Sequence, residues 1–124
     1  NGIGGSGDFA RNGFLSFFVT PSITRDGTSR IVPMATHVDH TEHDVQVLVT
    51  ERGLSDLRGL SPKQRSAVII DNCAHPDYKE QLHDYLKQVS PGSHQPMSLS
   101  LGLSMHRQFM RHGDMCNIKW DDYR

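Results

Sequence analysis

Two short apolar runs limit what this chain can become. Phe14-Leu15-Ser16-Phe17-Phe18-Val19 and Val45-Gln46-Val47-Leu48-Val49 are rich in aromatic and β-branched residues, and both are too short for a buried helix. Their nearly continuous apolar content predicts strands buried on both faces. Pro21 ends the first run. The second delivers Thr50 and Glu51 at its carboxyl end, where open α/β sheets place their chemistry. Between them, Arg30-Ile31-Val32-Pro33-Met34 reads as a short edge strand limited by Pro33. Gly53 turns the chain after the second run, and Leu54 to Leu57 read as one helical turn.

Helices follow. Ser61-Pro62 combines an N-cap residue with proline at the first helical position, predicting a helix to about Cys73 with Ala67, Ile70 and Ala74 on one side. His75-Pro76 breaks it. Tyr78, Leu82, Tyr85, Leu86 and Val89 then recur at helical spacing, first of all as core packing. Ser90 to Pro96 is a linker. Leu101, Met105 and Phe109 predict a last helix from about Met97 to His112, stopped by Gly113. The tail through Trp120 and Tyr123 has no periodicity.

The amino end, Asn1-Gly2-Ile3-Gly4-Gly5-Ser6-Gly7-Asp8-Phe9, carries four glycines in seven residues. Such a backbone can take positive φ and aim unobstructed N–H groups at one anionic oxygen. Asp8 offers a cap for a short helix, with Phe9 as its first apolar anchor. The run fits G-x-G-x-x-G, but the strand which that motif needs before it is missing. The nucleophile-elbow pattern G-x-S-x-G fails, because Asp8 occupies its second glycine position. A plain flexible turn remains the alternative.

Length and charge exclude several classes. The chain of 124 residues is at most one small domain, with a formal net charge of -1. It lacks the basic field that holds nucleic acid or an anionic membrane, and these residues show no membrane-spanning run or signal peptide, any original targeting signal lying outside them. The missing initiator Met makes the amino end look internal. Hydrophobic residues make up only 35% of the chain, lean for a self-sufficient α/β unit. An exposed apolar face, as on an interrupted domain, is therefore expected. Cys73 and Cys116 lie far apart without a C-x-x-C pattern, which favours free thiols in a reducing compartment.

Several constellations might carry chemistry. His37, His40 and His43 recur every third residue beside Asp39 and Asp44; zinc ligation is one reading, but no fourth ligand is specified, and the expectation is no metal but a hydrogen-bonded loop with one His near an active site. Ser6, His43 and Asp44 make a hydrolytic triad on paper, although adjacent His and Asp poorly serve as base and orienter. Glu51 is either a surface residue at a strand end or a site carboxylate whose pKa desolvation would raise. Arg25 and Arg30 flank the Asp26-Gly27 turn, where they either meet phosphate or keep a loop soluble.

Taken together, these segments resemble the class I coenzyme A transferases, closest to the succinyl-CoA:acetate CoA-transferase and acetyl-CoA hydrolase branch. The resemblance runs from Asn1-Gly2-Ile3-Gly4-Gly5-Ser6-Gly7-Asp8-Phe9-Ala10-Arg11-Asn12 through Thr20-Pro21-Ser22 and Ile31-Val32-Pro33-Met34. It continues through His37-Val38-Asp39-His40-Thr41-Glu42-His43-Asp44-Val45, Val49-Thr50-Glu51-Arg52-Gly53-Leu54-Ser55-Asp56-Leu57-Arg58-Gly59-Leu60-Ser61-Pro62 and Cys73-Ala74-His75-Pro76-Asp77-Tyr78, and reaches the Leu103 to Met115 tail.

The resemblance implies the C-terminal part, residues 1–124, of the second of two similar α/β halves, an open and mainly parallel sheet flanked by helices and ending in C-terminal helices. It also implies ping-pong exchange of CoA between carboxylic acids through a glutamyl-CoA thioester. The glutamate nucleophile lies upstream of the glycine loop in the family, and no residue here matches its motif. By the same resemblance, the N–H near Gly4 would help form an oxyanion hole. Glu51 would face the nucleophile, orienting it and tuning its ionisation through like-charge proximity. Gly4, Gly5 and, in the Ser22-to-Gly27 loop, Thr24 and Arg25 are the expected contacts to coenzyme A or substrate. The implied partners are acyl-CoA, a small carboxylate and the remaining N-terminal part of the same enzyme, as a homodimer without nucleic acid or membrane. No cofactor is implied beyond the coenzyme A thioester as substrate. The expected compartment is cytoplasmic, with mitochondrial as the alternative. An acyl-CoA hydrolase and a non-catalytic CoA- or partner-binding module are the rival readings.

Overall fold

The computed structural model describes residues 2–124; Asn1, which opens the glycine run, lies outside the described residues. In chain order the elements are α1 (Ser6–Asn12), β1 (Phe17–Val19), β2 (Val47–Thr50), β3 (Gly53–Asp56), α2 (Pro62–Cys73), α3 (Pro76–Gln88), α4 (Ser104–His112) and a closing 3-10 turn (Trp120–Tyr123). The class is α/β as expected. The sheet has the order β1-β2-β3 and is mixed: β1 runs parallel to β2 with Phe18 beside Leu48, and β3 runs antiparallel with Leu54 opposite Val49.

The antiparallel strand occupies the segment expected to form a helical turn. Leu54, Ser55, Asp56 and Leu57 alternate between exposed and buried, the period of a strand. Pairing with β2 supplies backbone hydrogen bonds that a four-residue helix cannot supply to itself. Gly53 permits the arrangement by close approach: a Cβ there would lie 2.7 Å from the carbonyl oxygen of Asn72 in α2. Against the same face, Cys73 is fully buried, its Sγ 3.2 Å from Ser55 Oγ and 3.6 Å from the Leu48 carbonyl oxygen.

Two other strand expectations are corrected. The first apolar run pairs only from Phe17, and it is not buried on both faces: Phe14, Phe17 and Val19 are exposed, because β1 is an edge strand. Cross-strand neighbours Val19, Val49 and Leu54 form a row on the face opposite Ser55, with Val19 and Leu54 largely open, so the sheet carries the expected uncovered apolar face. Arg30 to Met34 forms no strand. The Ser29 hydroxyl there accepts from the Ile31 N–H and donates to the Ile31 carbonyl, a local bonding pattern that competes with strand pairing.

The helical layer holds the core. Ser61 and Gln64 form a reciprocal capping box at the start of α2, and His75 with Pro76 starts α3. Ile70, Ala74, Tyr78, Leu82 and Tyr85 from these helices pack with Leu101 and Met105. The aperiodic tail completes this cluster with Met115, Ile118, Trp120 and Tyr123, the Trp120 ring lying 5.5 Å from that of Tyr85. The last helix begins at Ser104 rather than Met97, since Ser98 is taken up in a turn: its N–H donates to Tyr85 Oη and its Oγ accepts from the Leu101 N–H. Phe109, expected on the buried stripe, is 42% exposed.

Candidate active site

Glu51 lies in the two-residue turn between β2 and β3, at the carboxyl end of β2. What holds its side chain comes from the neighbouring strand. The pairing of β1 with β2 extends to the Thr20 N–H, which donates to the Val49 carbonyl at 3.0 Å. Pro21 has no N–H to continue the ladder. The chain therefore folds over, placing the fully buried Ser22 against Glu51. The Ser22 N–H donates to Oε2 at 2.8 Å, the Ser22 hydroxyl donates to Oε1, and Arg52 Nε donates to Oε1 at 3.2 Å.

These donors stabilise the charged form and hold the Glu51 carboxyl down at about 2, the Ser22 hydroxyl contributing most and the Ser22 N–H next. The expected upward shift is thus reversed. Desolvation acts in that direction but is outweighed, and within this segment no second carboxylate tunes the group.

Gly4, the expected oxyanion donor, has φ +49, a left-handed conformation that favours glycine, with open space where a Cβ would be. Gly4 and Gly5 are exposed. The helix that follows starts at Ser6 with Gly5 as N-cap, so Asp8 sits inside the first turn and does not cap it. Phe9 is 81% exposed and anchors nothing; the buried residues of α1 are Gly7 and Ala10.

The direction of α1 follows from its contacts. Near its carboxyl end, Arg11 donates from Nε and Nη2 to the two oxygens of Asp44 at 3.0 and 3.2 Å, just before β2. At its amino end, Ser6 Oγ lies 2.9 Å from Nε2 of His40, whose ring meets the Phe18 ring in β1 edge-on at 4.9 Å. These contacts set the carboxyl end of α1 beside Asp44, ahead of β2, and its amino end beside His40, which in turn meets Phe18 of β1. Among the described residues no hydrogen bond joins Gly4 or Gly5 to Glu51.

Thr24 and Arg25 occupy a tight turn directly after Ser22. Thr24 Oγ1 accepts from the Thr28 N–H at 3.0 Å, and the Thr24 carbonyl accepts from the Gly27 N–H at 3.0 Å. Arg25 stands exposed at the tip. The Tyr78 hydroxyl donates to the Gly27 carbonyl at 2.7 Å, tying the turn to α3.

The three histidines diverge: His37 pairs with Asp39 at 3.1 Å, His43 stands beside Glu42 at 3.6 Å, and His40 turns to Ser6. Among the described residues no three His, Cys, Asp or Glu side chains converge as a metal site would require. The paper triad of Ser6, His43 and Asp44 is not formed. His40 takes the histidine place, but its Nδ1 has no hydrogen-bond partner and lies 4.0 Å from Asp44 Oδ2, which Arg11 already occupies. Ser22 and His40 lie in loops that the sequence brings near the site, but neither is singled out there as the residue that meets Glu51 or Ser6. Ser22 meets a partner 29 positions away, and nothing local distinguishes its hydroxyl from the others in that loop.

Over residues 1–86 the sequence matches the acetyl-CoA hydrolase/transferase C-terminal domain, and the chain belongs to that family. It is 55% identical over 118 residues to a succinyl-CoA:acetate CoA-transferase of Clostridium kluyveri, with 93% of this chain and 22% of that protein covered. It is 49% identical to an acetyl-CoA hydrolase of Candida albicans, with 98% of this chain and 25% of that protein covered. Among solved structures it is similar to RipA from Yersinia pestis, with a TM-score of 0.62, 37% identity, and coverage of 68% of this chain and 21% of that one. A 4-hydroxybutyrate CoA-transferase from Porphyromonas gingivalis superposes with a TM-score of 0.59 at 33% identity, covering 68% of this chain and 22% of that one. The chain thus spans about a quarter or less of the length of these relatives.

Proposed function

We propose that this segment is the C-terminal part of a CoA-transferase that moves coenzyme A between an acyl-CoA and a small carboxylate such as acetate or succinate. The observation that carries the reading is Glu51, held by the Ser22 N–H and hydroxyl at the carboxyl end of β2. In the proposed cycle a glutamate outside this segment attacks the thioester carbonyl, and the tetrahedral oxyanion collapses by expelling CoA thiolate. The thiolate then attacks the glutamyl carbonyl of the resulting anhydride, releasing the first acid and leaving a glutamyl-CoA thioester. The second acid reverses both steps.

Within that cycle the Gly4 N–H donates to the developing oxyanion, where removal of one such donor typically costs about 3 kcal/mol. Glu51, anionic throughout, orients the nucleophile and does not act as a proton donor. Gly5, Thr24 and Arg25 contact coenzyme A, with the Arg25 guanidinium placed for a phosphate. No cofactor is needed beyond the CoA thioester itself.

Residues 1–124 act as one unit in this reading, since Leu101 to Tyr123 complete the core begun by α2 and α3. The remaining partner is the rest of the same enzyme, as a homodimer, and the uncovered Val19, Val49 and Leu54 row supports such a neighbour. No helix is long and apolar enough to cross a membrane. The free thiols Cys73 and Cys116 support a reducing compartment, and we place the enzyme in the cytoplasm.

The test is acyl exchange by the full-length enzyme. Transfer of CoA from acetyl-CoA to succinate should exceed release of free CoA, and Glu51→Ala should lower kcat by about a hundredfold. Acid-independent release of CoA at the same rate would favour hydrolysis, the activity named for the Candida albicans relative. Neither activity in the intact enzyme would remove the reading.

A further inference from the structure

The glycine loop is open around Gly4, so its position must be fixed through its neighbours. Ile3 and Ser6 provide this. The Ile3 carbonyl accepts from both the N–H and the hydroxyl of Ser6, and the Ile3 side chain fills the space beside Gly7. With its proton given to Ile3, Ser6 Oγ is left to accept from His40 Nε2 at 2.9 Å. The His40 ring is oriented edge-on by Phe18 and is largely buried. Five residues along α1, Arg11 is gripped by Asp44, so both ends of α1 are held by one segment, His40 to Asp44.

We propose that this segment is a two-point clamp on α1, with His40 as the positioning residue that sets the direction of the Gly4 N–H. The inference rests on the oxyanion role proposed above for Gly4. It gives Ser6 a structural and not a nucleophilic role: its hydroxyl donates to the Ile3 carbonyl, and His40 Nδ1 makes no hydrogen bond, the Asp44 carboxylate 4.0 Å away being held by Arg11. The expected consequence is a loss in turnover with little loss in binding, because a misplaced donor weakens the transition state more than the bound substrate.

Two readouts in the full-length enzyme test it. His40→Ala should lower kcat about tenfold or more while the KM for acyl-CoA stays within about twofold, and His40→Gln, whose amide nitrogen reaches the same hydroxyl, should recover to within about threefold. Independently of activity, amide hydrogen exchange over residues 2–7 should quicken about tenfold in His40→Ala and return toward the parent rate in His40→Gln. Glutamine performing no better than alanine, a change confined to KM, or unchanged exchange would overturn the clamp. Covalent capture of Ser6 by a fluorophosphonate would do the same. If the enzyme transfers no CoA, the function proposed above fails while the exchange measurement still decides the clamp.

Discussion

Ser22 holds both oxygens of Glu51, its N–H reaching Oε2 at 2.8 Å and its hydroxyl reaching Oε1. A carboxylate held in this way is charged under all physiological conditions. Its pKa falls from 4.5 to about 2, so the stabilisation it gives the fold is present above the ordinary value and is lost as pH drops through about 2. Asp56, brought to about 2 by hydrogen bonds from Arg58, has the same sign. The kcat of the full-length enzyme should therefore show no acid limb from Glu51 above about pH 4. Ser22→Ala keeps the N–H bond but loses the hydroxyl, so the Glu51 pKa should climb back toward its ordinary value and kcat should fall. A pH–rate profile of the variant checks both, and an unchanged profile and kcat would contradict the assignment.

Gly53→Ala should destabilise the protein by about 1–3 kcal/mol, because the new methyl would press on backbone that cannot step aside. The contact is the Asn72 carbonyl oxygen, 2.7 Å from the added carbon. A denaturant midpoint measured on the full chain reads the loss directly.

The turn bearing Arg25 gives a prediction on binding. Arg25→Ala should raise the KM for acyl-CoA by about three- to tenfold with kcat nearly constant, as expected for a phosphate contact equal in ground and transition states. Tyr78→Phe should do the same more weakly, by freeing the Gly27 carbonyl and loosening the turn. Burial, and then the Cys116 thiol, push the Tyr78 hydroxyl above its usual range, so it remains a donor. Steady-state kinetics on both variants separates this from a loss in kcat.

Trp120→Ala should cost about 3–5 kcal/mol in stability, the usual range for truncating a large core aromatic. The ring is 8% exposed and packs on Tyr85, although nothing periodic in the tail announces it. Thermal unfolding of the full chain is the measurement.

How far the fold could be read in advance depended on how local each signal was. Ser61-Pro62 and His75-Pro76 start helices through contacts one to three residues away, and both helices form where expected. The buried face of α3 follows from spacing alone; on α2 Ile70 is buried as expected, but Ala67 is only partly covered and Cys73 is buried against the sheet. Leu54 to Leu57 failed because three-residue spacing of leucines fits a helix, while the deciding hydrogen bonds come from β2. Phe17 and Val19 were misjudged because apolar content does not reveal that a strand lies at the edge. The same division holds at the site. Glu51 could be located from the end of an apolar run, but the direction of its pKa shift needed Ser22, and the role of His40 needed Ser6, 34 positions away.

Only Glu51 and Arg52 separate β2 from β3, and this brevity has a consequence for variation in the chain. A hairpin that short ties the placement of the carboxylate to how the two strands slide on each other. One inserted residue, or one step of slippage, would turn the acid to the other side of the sheet and out of reach of Ser22. Length there should consequently be far less tolerant of change than residue type.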